Sequence, residues 1–479
     1  MVFTDVAPLV PLPARLSVAD GTLVLPRVDI DGDVVAAAAL REGLRRRAAS
    51  LEIVDAGADA VPITLAIEPG TAEAYMLEAQ QNGIRITGAD AAGLFYGTRT
   101  LLQLLSETPD GWSVPHVQIE DAPRFRYRGV MLDVARHFFP VGEVLEYIDR
   151  AAALKFNHLH LHLSDDQGWR IQIDAWPLLT ERASIGDAGP CAGGFYSKDD
   201  YRTIVAYAAE RHITVVPEID LPGHTHAVGI AYPDLVEEPW IGPDAATQAA
   251  SLGQSLPVHG EHFAGWAVGH SSVRIHDERT YEFVTDVLGE LAEMTPGPYL
   301  HLGGDECHGT SPEDFALFIA RATRIAAATG KTPVTWHEAG AVADIAEGTV
   351  GQYWGSVTPQ GTHAEEAAHF VERGGQLIMS ASDRTYLDMK PDAEFDLGLE
   401  WAGLVPLQLA YDWDPAAVIP GVSEILGIEA PLWTETVDSF NDLERLVYPR
   451  LLAHAETAWS PQALREWTSF EKRLGAYAG

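Results

Sequence analysis

An alternation of apolar strand-like segments with helical segments constrains this chain more than any other feature. The pattern starts near residue 124 and supplies eight candidate strands: 129–134, 158–163, 213–219, 299–302, 333–336, 350–354, 376–380 and 425–430. Amphipathic helices are predicted between most of them: 141–154, 198–211, 278–294, 312–329 and 361–373. Eight β–α units predict a closed (β/α)8 TIM barrel with insertions over residues 123–479. An open doubly wound sheet is the alternative, but the glycine-rich phosphate loop that such sheets often carry is missing.

Residues 1–122 are predicted to form a small α+β domain that precedes the barrel. Its predicted strands are 23–25, 63–67 and 83–87, and its predicted helices are 39–51 and 91–105. An amphipathic helix can cover one face of a small sheet, which is the basis of this fold class. The runs Thr108-Pro109-Asp110-Gly111 and Asp121-Ala122-Pro123 indicate a linker to the barrel over segment 108–123. This domain contains no cluster of catalytic residue types.

Polar and aromatic residues follow every predicted barrel strand. In a (β/α)8 barrel the loops after the carboxyl ends of the strands carry the functional residues. The candidates in chain order are Arg136, Asp165, Asp220, His224, Asp305, Glu306, Trp336, Trp354, Tyr386, Asp388, Trp433 and Glu435. Flat aromatic faces suit a sugar ring, and carboxylates with an arginine suit its hydroxyls. The set therefore favours a carbohydrate pocket.

The sharpest signal within this set is the pair Asp305 and Glu306, which follows an apolar strand and two glycines. Neighbouring residues in a strand point to opposite faces, so the pair can serve one site only if the strand has ended and the backbone has turned. Gly303 and Gly304 permit such a turn, because glycine adopts backbone angles that other residues avoid. Paired carboxylates at a strand end indicate acid–base catalysis.

Charge and cysteine content exclude several function classes. The chain carries 69 acidic against 32 basic residues, a formal charge of −37, which would repel phosphate backbones and anionic membrane surfaces. We therefore expect neither nucleic acid nor membrane as a partner, and a neutral substrate fits better. Two cysteines, Cys191 and Cys307, exclude a disulfide framework. The amino terminus does not resemble a signal peptide, which predicts a cytoplasmic protein unless a leader was removed.

Two further features complete the pattern. His158, His160 and His162 alternate along one strand, and we interpret them as packing or supporting residues rather than zinc ligands, because they lie within the strand and suitably spaced partners are not evident. The connection over 232–272 is unusually long and rich in glycine, proline and histidine. Loops of this length are usually functional or mobile, and we expect part of it, 236–270, to border the leaving-group side of the site.

The motif His301-Leu302-Gly303-Gly304-Asp305-Glu306 resembles the signature of family 20 glycoside hydrolases, the β-N-acetylhexosaminidases. The likeness covers nearly the whole chain from residue 124, and the first 122 residues resemble the small domain that precedes the barrel in this family. Four further motifs and one longer run carry it: Arg136-His137-Phe138-Phe139, residues 160–169, Pro222-Gly223-His224, Tyr386-Leu387-Asp388 and Trp433-Thr434-Glu435. These motifs are highly specific in combination.

The resemblance implies a retaining exo-enzyme that removes terminal non-reducing β-linked GlcNAc or GalNAc, with the substrate's own 2-acetamido group as nucleophile. It implies that Glu306 is the general acid and then the general base. Asp305 would stay ionised and accept a hydrogen bond from the acetamido N–H, while Tyr386 would donate one to the acetamido oxygen. No metal or organic cofactor is implied.

The remaining candidates are assigned by the same resemblance. The aromatic residues that would wall the acetamido pocket and the sugar face are Trp336, Trp354 and Trp433. Arg136 would bind the 3- and 4-hydroxyls, with Asp388 and Glu435 on the outer hydroxyls. The side chains that would form a supporting polar chain behind the acid are Asp165, Asp220 and His224.

Two alternatives stay open at this stage. A lacto-N-biosidase-like enzyme of the same family would release a disaccharide, and a non-catalytic carbohydrate-binding barrel would release nothing. The expected substrates are terminal N-acetylhexosaminides in chitooligosaccharides or glycan fragments. The preference between GlcNAc and GalNAc and the oligomeric state are not encoded in any feature we recognise.

Overall fold

The structure is a computed structural model that describes residues 8–55, 59–109, 111–190, 192–422 and 424–476. Its residues divide into two compact units. One contains the described residues up to 128, together with 150–156 and 452–476, and the other contains 129–149 and 157–451. The first unit is therefore discontinuous in sequence, while the boundary at residue 122 stays a prediction.

The first unit contains an eight-stranded mixed sheet. Its strands are Arg15–Leu25, Arg27–Gly32, Glu52–Val54, Val61–Ile67, Tyr75–Gln80, Gly83–Gly88, Ser106–Thr108 and Gly111–Asp121. Its two long N-terminal helices are Val34–Arg47 and Ala91–Leu104, and the carboxylates of Asp33 and Asp90 cap them by accepting hydrogen bonds from backbone N–H groups. The predicted α+β class is confirmed.

The interpretation of segment 108–123 as a linker is wrong. Gly111–Asp121 is a long strand that pairs antiparallel with both Arg15–Leu25 and Tyr75–Gln80. Its inward residues Val117 and Ile119 are buried, as expected for a strand with one face on the core. The turn residues before it mark a hairpin with the strand Ser106–Thr108, and Asp110 lies outside the described residues.

The second unit is organised around the predicted closed barrel of eight parallel strands. We number the barrel strands 1 to 8: Tyr127–Asp133, His158–His162, Thr214–Glu218, Tyr299–His301, Thr332–Trp336, Val350–Tyr353, Leu377–Met379 and Ile425–Ala430. Each overlaps its predicted segment, with ends that differ by one or two residues. The barrel is confirmed, and the open doubly wound alternative is wrong because strand 8 closes onto strand 1.

The five predicted barrel helices are also confirmed: Val141–Ala153, Lys198–Ala209, Glu278–Met294, Pro312–Ala328 and His363–Glu372. Further helices are Leu178–Arg182, His226–Ala231, Pro243–Leu252, Ser382–Thr385, Leu407–Tyr411, Phe440–Val447, Arg450–Trp459 and Trp467–Ala476. Among the helices that the structure describes, none has the length and apolar character needed to cross a membrane.

The interior of the barrel departs from the usual packing by branched apolar side chains. Buried charged or polar residues from five strands meet there instead: His160, His162, Glu218, His301, Gln352 and Glu429. Because unpaired buried charges are costly, this cluster has to be internally paired. It lies directly beneath the strand ends that carry the site.

Candidate active site

A cavity of about 410 Å³ opens among the loops that follow the barrel strands. Eight of the twelve predicted residues line it: Arg136, Asp305, Glu306, Trp354, Tyr386, Asp388, Trp433 and Glu435. The other four, Asp165, Asp220, His224 and Trp336, are buried and do not line it. The structure thus brings together residues that are up to about three hundred positions apart in sequence.

The backbone turn after barrel strand 4 delivers both carboxylates to this cavity. Gly303 and Gly304 have φ angles of 67° and 104°, in the region that favours glycine. A Cβ atom on Gly303 would lie 1.7 Å from Asp220 Oδ1, so no other residue fits there. Glu306 itself has a φ of 48°. The expectation that the strand ends before the carboxylate pair is confirmed.

The buried carboxyl groups of Asp305 and Asp220 influence each other's ionisation. Burial and the charge of Asp305 raise the pKa of Asp220 well above its usual range. Burial also raises the pKa of Asp305, while the hydrogen bond from Asp220 and the charge of His224 lower it. Because two neighbouring carboxylates do not both ionise readily, the larger rise at Asp220 favours a proton there and an anion at Asp305. Asp220 Oδ1 is fixed by the backbone N–H of Gly304 at 3.0 Å.

His224 lies between the carboxylate pair and Asp165. Its Nδ1 is 3.1 Å from Asp165 Oδ1, and its Nε2 is 3.6 Å from Glu306 Oε2 and 3.8 Å from Asp305 Oδ2. Burial lowers the pKa of this imidazole, but the surrounding carboxylates, led by Asp165, raise it well above its usual range. His224 is thus hydrogen-bonded to Asp165 on one side, and its Nε2 faces Glu306 on the other side at more than hydrogen-bonding distance.

Arg136 enters the cavity from the loop after barrel strand 1. Asp133 fixes this loop, since its carboxylate accepts hydrogen bonds from the backbone N–H groups of Ala135, Arg136 and Thr434. The guanidinium Nη2 lies 2.8 Å from Asp165 Oδ2. Burial lowers the pKa of Arg136, and the carboxylates of Asp165 and Asp133 raise it well above its usual range. The cation is therefore permanent and rigidly oriented.

Aromatic rings form the cavity walls. The ring of Trp433 lies under the Arg136 guanidinium, with the Cζ atom 4.9 Å from the ring centroid. Trp354 donates its Nε1–H to both carboxylate oxygens of Glu338, at 3.0 Å each. Tyr386 is buried, and burial with the charge of Asp388 raises the pKa of its phenol well above its usual range, so the phenol is a hydrogen-bond donor.

Trp336 takes a different position from the one predicted. Its side chain is fully buried beneath the cavity, 6.0 Å from the ring of Trp433 and 4.8 Å from that of His301. In this structure it supports Trp433 from behind and is not part of the cavity wall.

Asp388 and Glu435 also line the cavity. Burial and the charge of Glu435 raise the pKa of Asp388 well above its usual range. Burial raises the pKa of Glu435 to about 7, although the neighbouring Arg136 lowers it. Both groups are suited to hydrogen-bonding a neutral polyhydroxylated ligand.

The sequence interpretation missed several residues of the cavity. Ser251, Leu252, Trp266 and Val268 come from the long connection over 236–270, and Leu399, Glu400 and Trp401 come from the loop after barrel strand 7. The unusual length of 236–270 was a usable signal, whereas nothing in the sequence around Trp401 marked it. Glu338 was visible in the run Trp336-His337-Glu338 but received no role.

The groups near the cavity that could bind a metal ion or react as a thiol are the buried histidines with their carboxylates, and Cys307. The buried histidines and carboxylates form groups with spacing that could hold a metal ion, including His160 with Glu218 and His301. Both ring nitrogens of His160 already face carboxylate oxygens, at 2.8 and 2.9 Å. Burial raises the pKa of the Cys307 thiol well above its usual range, which suits a thiol that packs without reacting, and Cys191 lies outside the described residues.

Comparison with known proteins shows which family models and relatives this chain matches. Residues 125–315 and 310–462 match the model of the glycosyl hydrolase family 20 catalytic domain, and residues 6–122 match that of glycosyl hydrolase family 20, domain 2. A β-N-acetylhexosaminidase from Cellulomonas fimi is 38% identical over 99% of this chain and 91% of its own length. An N,N'-diacetylchitobiase from Vibrio harveyi is 29% identical over 93% of this chain and 61% of its own.

Solved structures agree with the sequence matches. A glycoside hydrolase family 20 β-N-acetylglucosaminidase superposes with a TM-score of 0.90 at 53% identity, covering 98% of this chain and 95% of the other. The Streptomyces plicatus N-acetyl-β-hexosaminidase in complex with Thio-NAglucal superposes with a TM-score of 0.89 at 41% identity, covering 99% and 94%.

Proposed function

Because the chain belongs to glycosyl hydrolase family 20, we propose that the cavity around Asp305 and Glu306 is its active site. The enzyme is a retaining exo-β-N-acetylhexosaminidase that hydrolyses terminal β-linked N-acetylhexosaminides. Enzymes of this family use the 2-acetamido group of the substrate as the nucleophile, in place of a second protein carboxylate. The proposal concerns how the residues of this chain divide that work.

Glu306 is the general acid toward the glycosidic oxygen and then the general base toward water. Its side chain is about a quarter exposed and lines the cavity, so it can reach a bound leaving group. His224 and Asp165 stand behind it and orient it. A positioned acid of this kind supplies proton transfer in both halves of the reaction.

Asp305 and Tyr386 guide the acetamido group. The anion of Asp305 accepts the acetamido N–H and stabilises the positive charge that develops as the acetamido oxygen closes onto the anomeric carbon. The Tyr386 phenol donates a hydrogen bond to that oxygen, which stabilises the charge developing there. Holding the acetamido group against the anomeric carbon makes the attack intramolecular, so no protein nucleophile is needed.

Arg136, Asp388 and Glu435 bind the sugar hydroxyls, while Trp433 supports one face of the ring. A cavity of about 410 Å³ closed by these groups suits one terminal sugar, which favours release of a monosaccharide over a disaccharide. We propose chitooligosaccharides and the N-acetylhexosamine ends of glycans as the substrates. The net charge of the chain suits such neutral ligands.

The single observation that carries the proposal is the convergence of two adjacent carboxylates, Asp305 and Glu306, on one cavity. The test is Glu306→Gln, which keeps the size of the side chain and removes its proton transfer. We expect kcat on chitobiose to fall by about 10²- to 10⁴-fold. An activated aryl N-acetylglucosaminide should be affected less in its first step, because its leaving group needs little protonation.

The matched control is the wild-type enzyme on aryl β-glucoside and aryl β-N-acetylglucosaminide. The glucoside lacks the internal nucleophile and should react far more slowly. Equal rates on the two substrates, or unimpaired chitobiose hydrolysis by Glu306→Gln, would contradict the proposed function.

A further inference from the structure

The alternating histidines of barrel strand 2 are a sequence motif that the proposed function does not use. His160 and His162 are both fully buried in the barrel interior. They lie one on either side of Glu218, whose Oε2 is 2.9 Å from His160 Nε2 and 2.5 Å from His162 Nδ1. The other ring nitrogen of each histidine, the one that does not face Glu218, has a different partner in the two cases. We use this difference to distinguish the roles of the two histidines.

His162 alone reaches the active site. Its Nε2 lies 2.8 Å from Asp165 Oδ2, whereas the second nitrogen of His160 lies 2.8 Å from Glu429 Oε1, deeper in the barrel. The edge of the His162 ring also packs on Trp433, at a centroid distance of 4.9 Å. His162 thus contacts two residues of the site.

Asp165 contacts both Arg136, which is proposed to bind sugar hydroxyls, and His224, which lies behind the proposed acid. Its Oδ2 binds Arg136 Nη2 at 2.8 Å, and its Oδ1 binds His224 Nδ1 at 3.1 Å. A rotation of this carboxylate would therefore displace the cation that binds sugar hydroxyls and the imidazole behind Glu306 together. A side chain that prevents the rotation would influence both.

We propose that His162 is a positioning residue for the hydrolysis, which holds Asp165 in the orientation that serves Arg136 and His224 at once. The proposal rests on the roles proposed for Arg136, His224 and Glu306. Both ring nitrogens of His162 face carboxylate oxygens, so both carry hydrogen and the ring is an imidazolium. Charge-assisted hydrogen bonds of this type are short and strongly directional.

The surroundings of His162 support a fixed charge at this place. The anions of Glu218 and Asp165 flank the ring at 2.5 and 2.8 Å, closer than the opposing cation of Arg136, whose Nη1 lies 3.4 Å from the ring Nε2. Burial lowers the pKa of His162, and Glu218 and Asp165 raise it well above its usual range. The geometry and the charges therefore agree on a cation held between two anions.

The test separates the two hydrogen bonds of the ring. In His162→Asn the amide can occupy the place of Nδ1 and keep the contact with Glu218, while the contact with Asp165 is lost. In His162→Gln the longer amide can occupy the place of Nε2 and keep the contact with Asp165. We expect kcat/KM on chitobiose to fall by about tenfold to a hundredfold in His162→Asn and by less than about fivefold in His162→Gln.

The loss in His162→Asn should appear in both kinetic parameters. KM should rise because Arg136 is loosened, and kcat should fall more on chitobiose than on an aryl substrate with a good leaving group, because the acid is misaligned. A merely structural role would not produce this dependence on the leaving group.

His160→Asn and His160→Gln are the matched controls, because His160 is equally buried and also binds Glu218 but does not contact Asp165. Their thermal stability should fall about as much as that of the His162 variants, with kcat/KM within about twofold of wild type. Equal kinetic losses in His162→Asn and His162→Gln, or losses no larger than those of the His160 pair, would overturn the proposal.

Three further outcomes are decisive. Should His162→Asn not fold, His162→Gln is compared with His160→Gln, and a loss of kcat above about tenfold in His162→Gln overturns the proposal. Wild-type enzyme that fails to hydrolyse chitobiose and aryl N-acetylglucosaminides would instead contradict the proposed function. Normal wild-type activity with unaffected His162→Asn kinetics contradicts only the role of His162.

Discussion

The carboxylates of the barrel interior and those of the cavity differ in their partners. In the interior, Glu218 contacts three imidazoles, those of His160, His162 and His301, at distances of 2.5 to 3.0 Å. In the cavity, the charge of Arg136 acts on the pKa of Glu435, and the charge of Arg450 acts on that of Asp388.

The pKa of a carboxyl group is therefore shifted in opposite directions in the two regions. Burial raises the pKa of Glu218, but the imidazoles lower it well below its usual range. Burial dominates in the cavity, where the pKa of Asp388 is raised well above its usual range. Paired carboxylates fix a structure, and incompletely paired carboxylates are free to bind a ligand. The interior carboxylates therefore contribute to the stability of the barrel, and those of the cavity contribute to ligand binding.

The largest expected effect comes from Asp305→Asn in the cavity. The substitution keeps the shape but removes the anion that stabilises the developing positive charge on the acetamido group. We expect kcat to fall by about 10²- to 10³-fold, with little change in stability. Steady-state kinetics checks the fall in kcat, and thermal unfolding of the same preparation checks that the stability is little changed. A fall in stability without a fall in kcat would place Asp305 with the interior carboxylates.

The next effect comes from Glu218→Gln in the interior, which leaves three imidazoles around a neutral amide. Removing one partner from a buried charge network costs about 3–5 kcal/mol of unfolding free energy. Because the pKa of Glu218 is lowered on folding, its contribution is present above its unfolded pKa and is lost as the pH falls through the folded value. Urea unfolding at pH 7 should show the loss. Unchanged stability at that pH would contradict the pairing.

The smallest effect comes from Glu435→Gln, and it depends on pH. The pKa of Glu435 is about 7 in the folded protein and is thus raised above the usual value of 4.5. Its ionisation therefore destabilises the fold as the pH rises through 7, and the variant should be more stable than wild type at pH 8, by about 1–2 kcal/mol, but not at pH 4. The KM should rise by about tenfold, since a hydroxyl ligand is weakened.

The control for Glu435→Gln is urea unfolding of both proteins at pH 4 and pH 8. Equal stability differences at the two pH values would mean that Glu435 does not titrate between them, and would remove the contrast with Glu218.

The fold and most of the cavity could be predicted from the sequence because both depend on local patterns. Strand and helix periods repeat along the chain, and residues that follow parallel strands must meet at one end of a barrel. The linker prediction for 108–123 failed because turn residues at the start of a hairpin strand look the same as those at the start of a connection. The strand itself became evident only from its pairing with Arg15–Leu25 and Tyr75–Gln80.

Other features depend on contacts between distant residues, which no local pattern reports. The histidines of barrel strand 2 lacked evident partners in sequence, since Glu218 and Glu429 lie about 60 and 270 residues away. Trp336 ends a strand in the same way as Trp354, yet only Trp354 lines the cavity. Trp401 lies in a loop, about half exposed, and contacts Trp354 and Tyr386 only in the folded chain.

The most direct measurement is a crystal structure of the enzyme with a thiazoline mimic of the cyclised N-acetylglucosamine. The account predicts that the N-acetyl arm lies against Asp305 and Tyr386, that Glu306 faces the anomeric carbon side, and that no bond joins the ligand to the protein. An N-acetyl arm directed away from Asp305, or a covalent bond between the anomeric carbon and a side-chain oxygen, would contradict it.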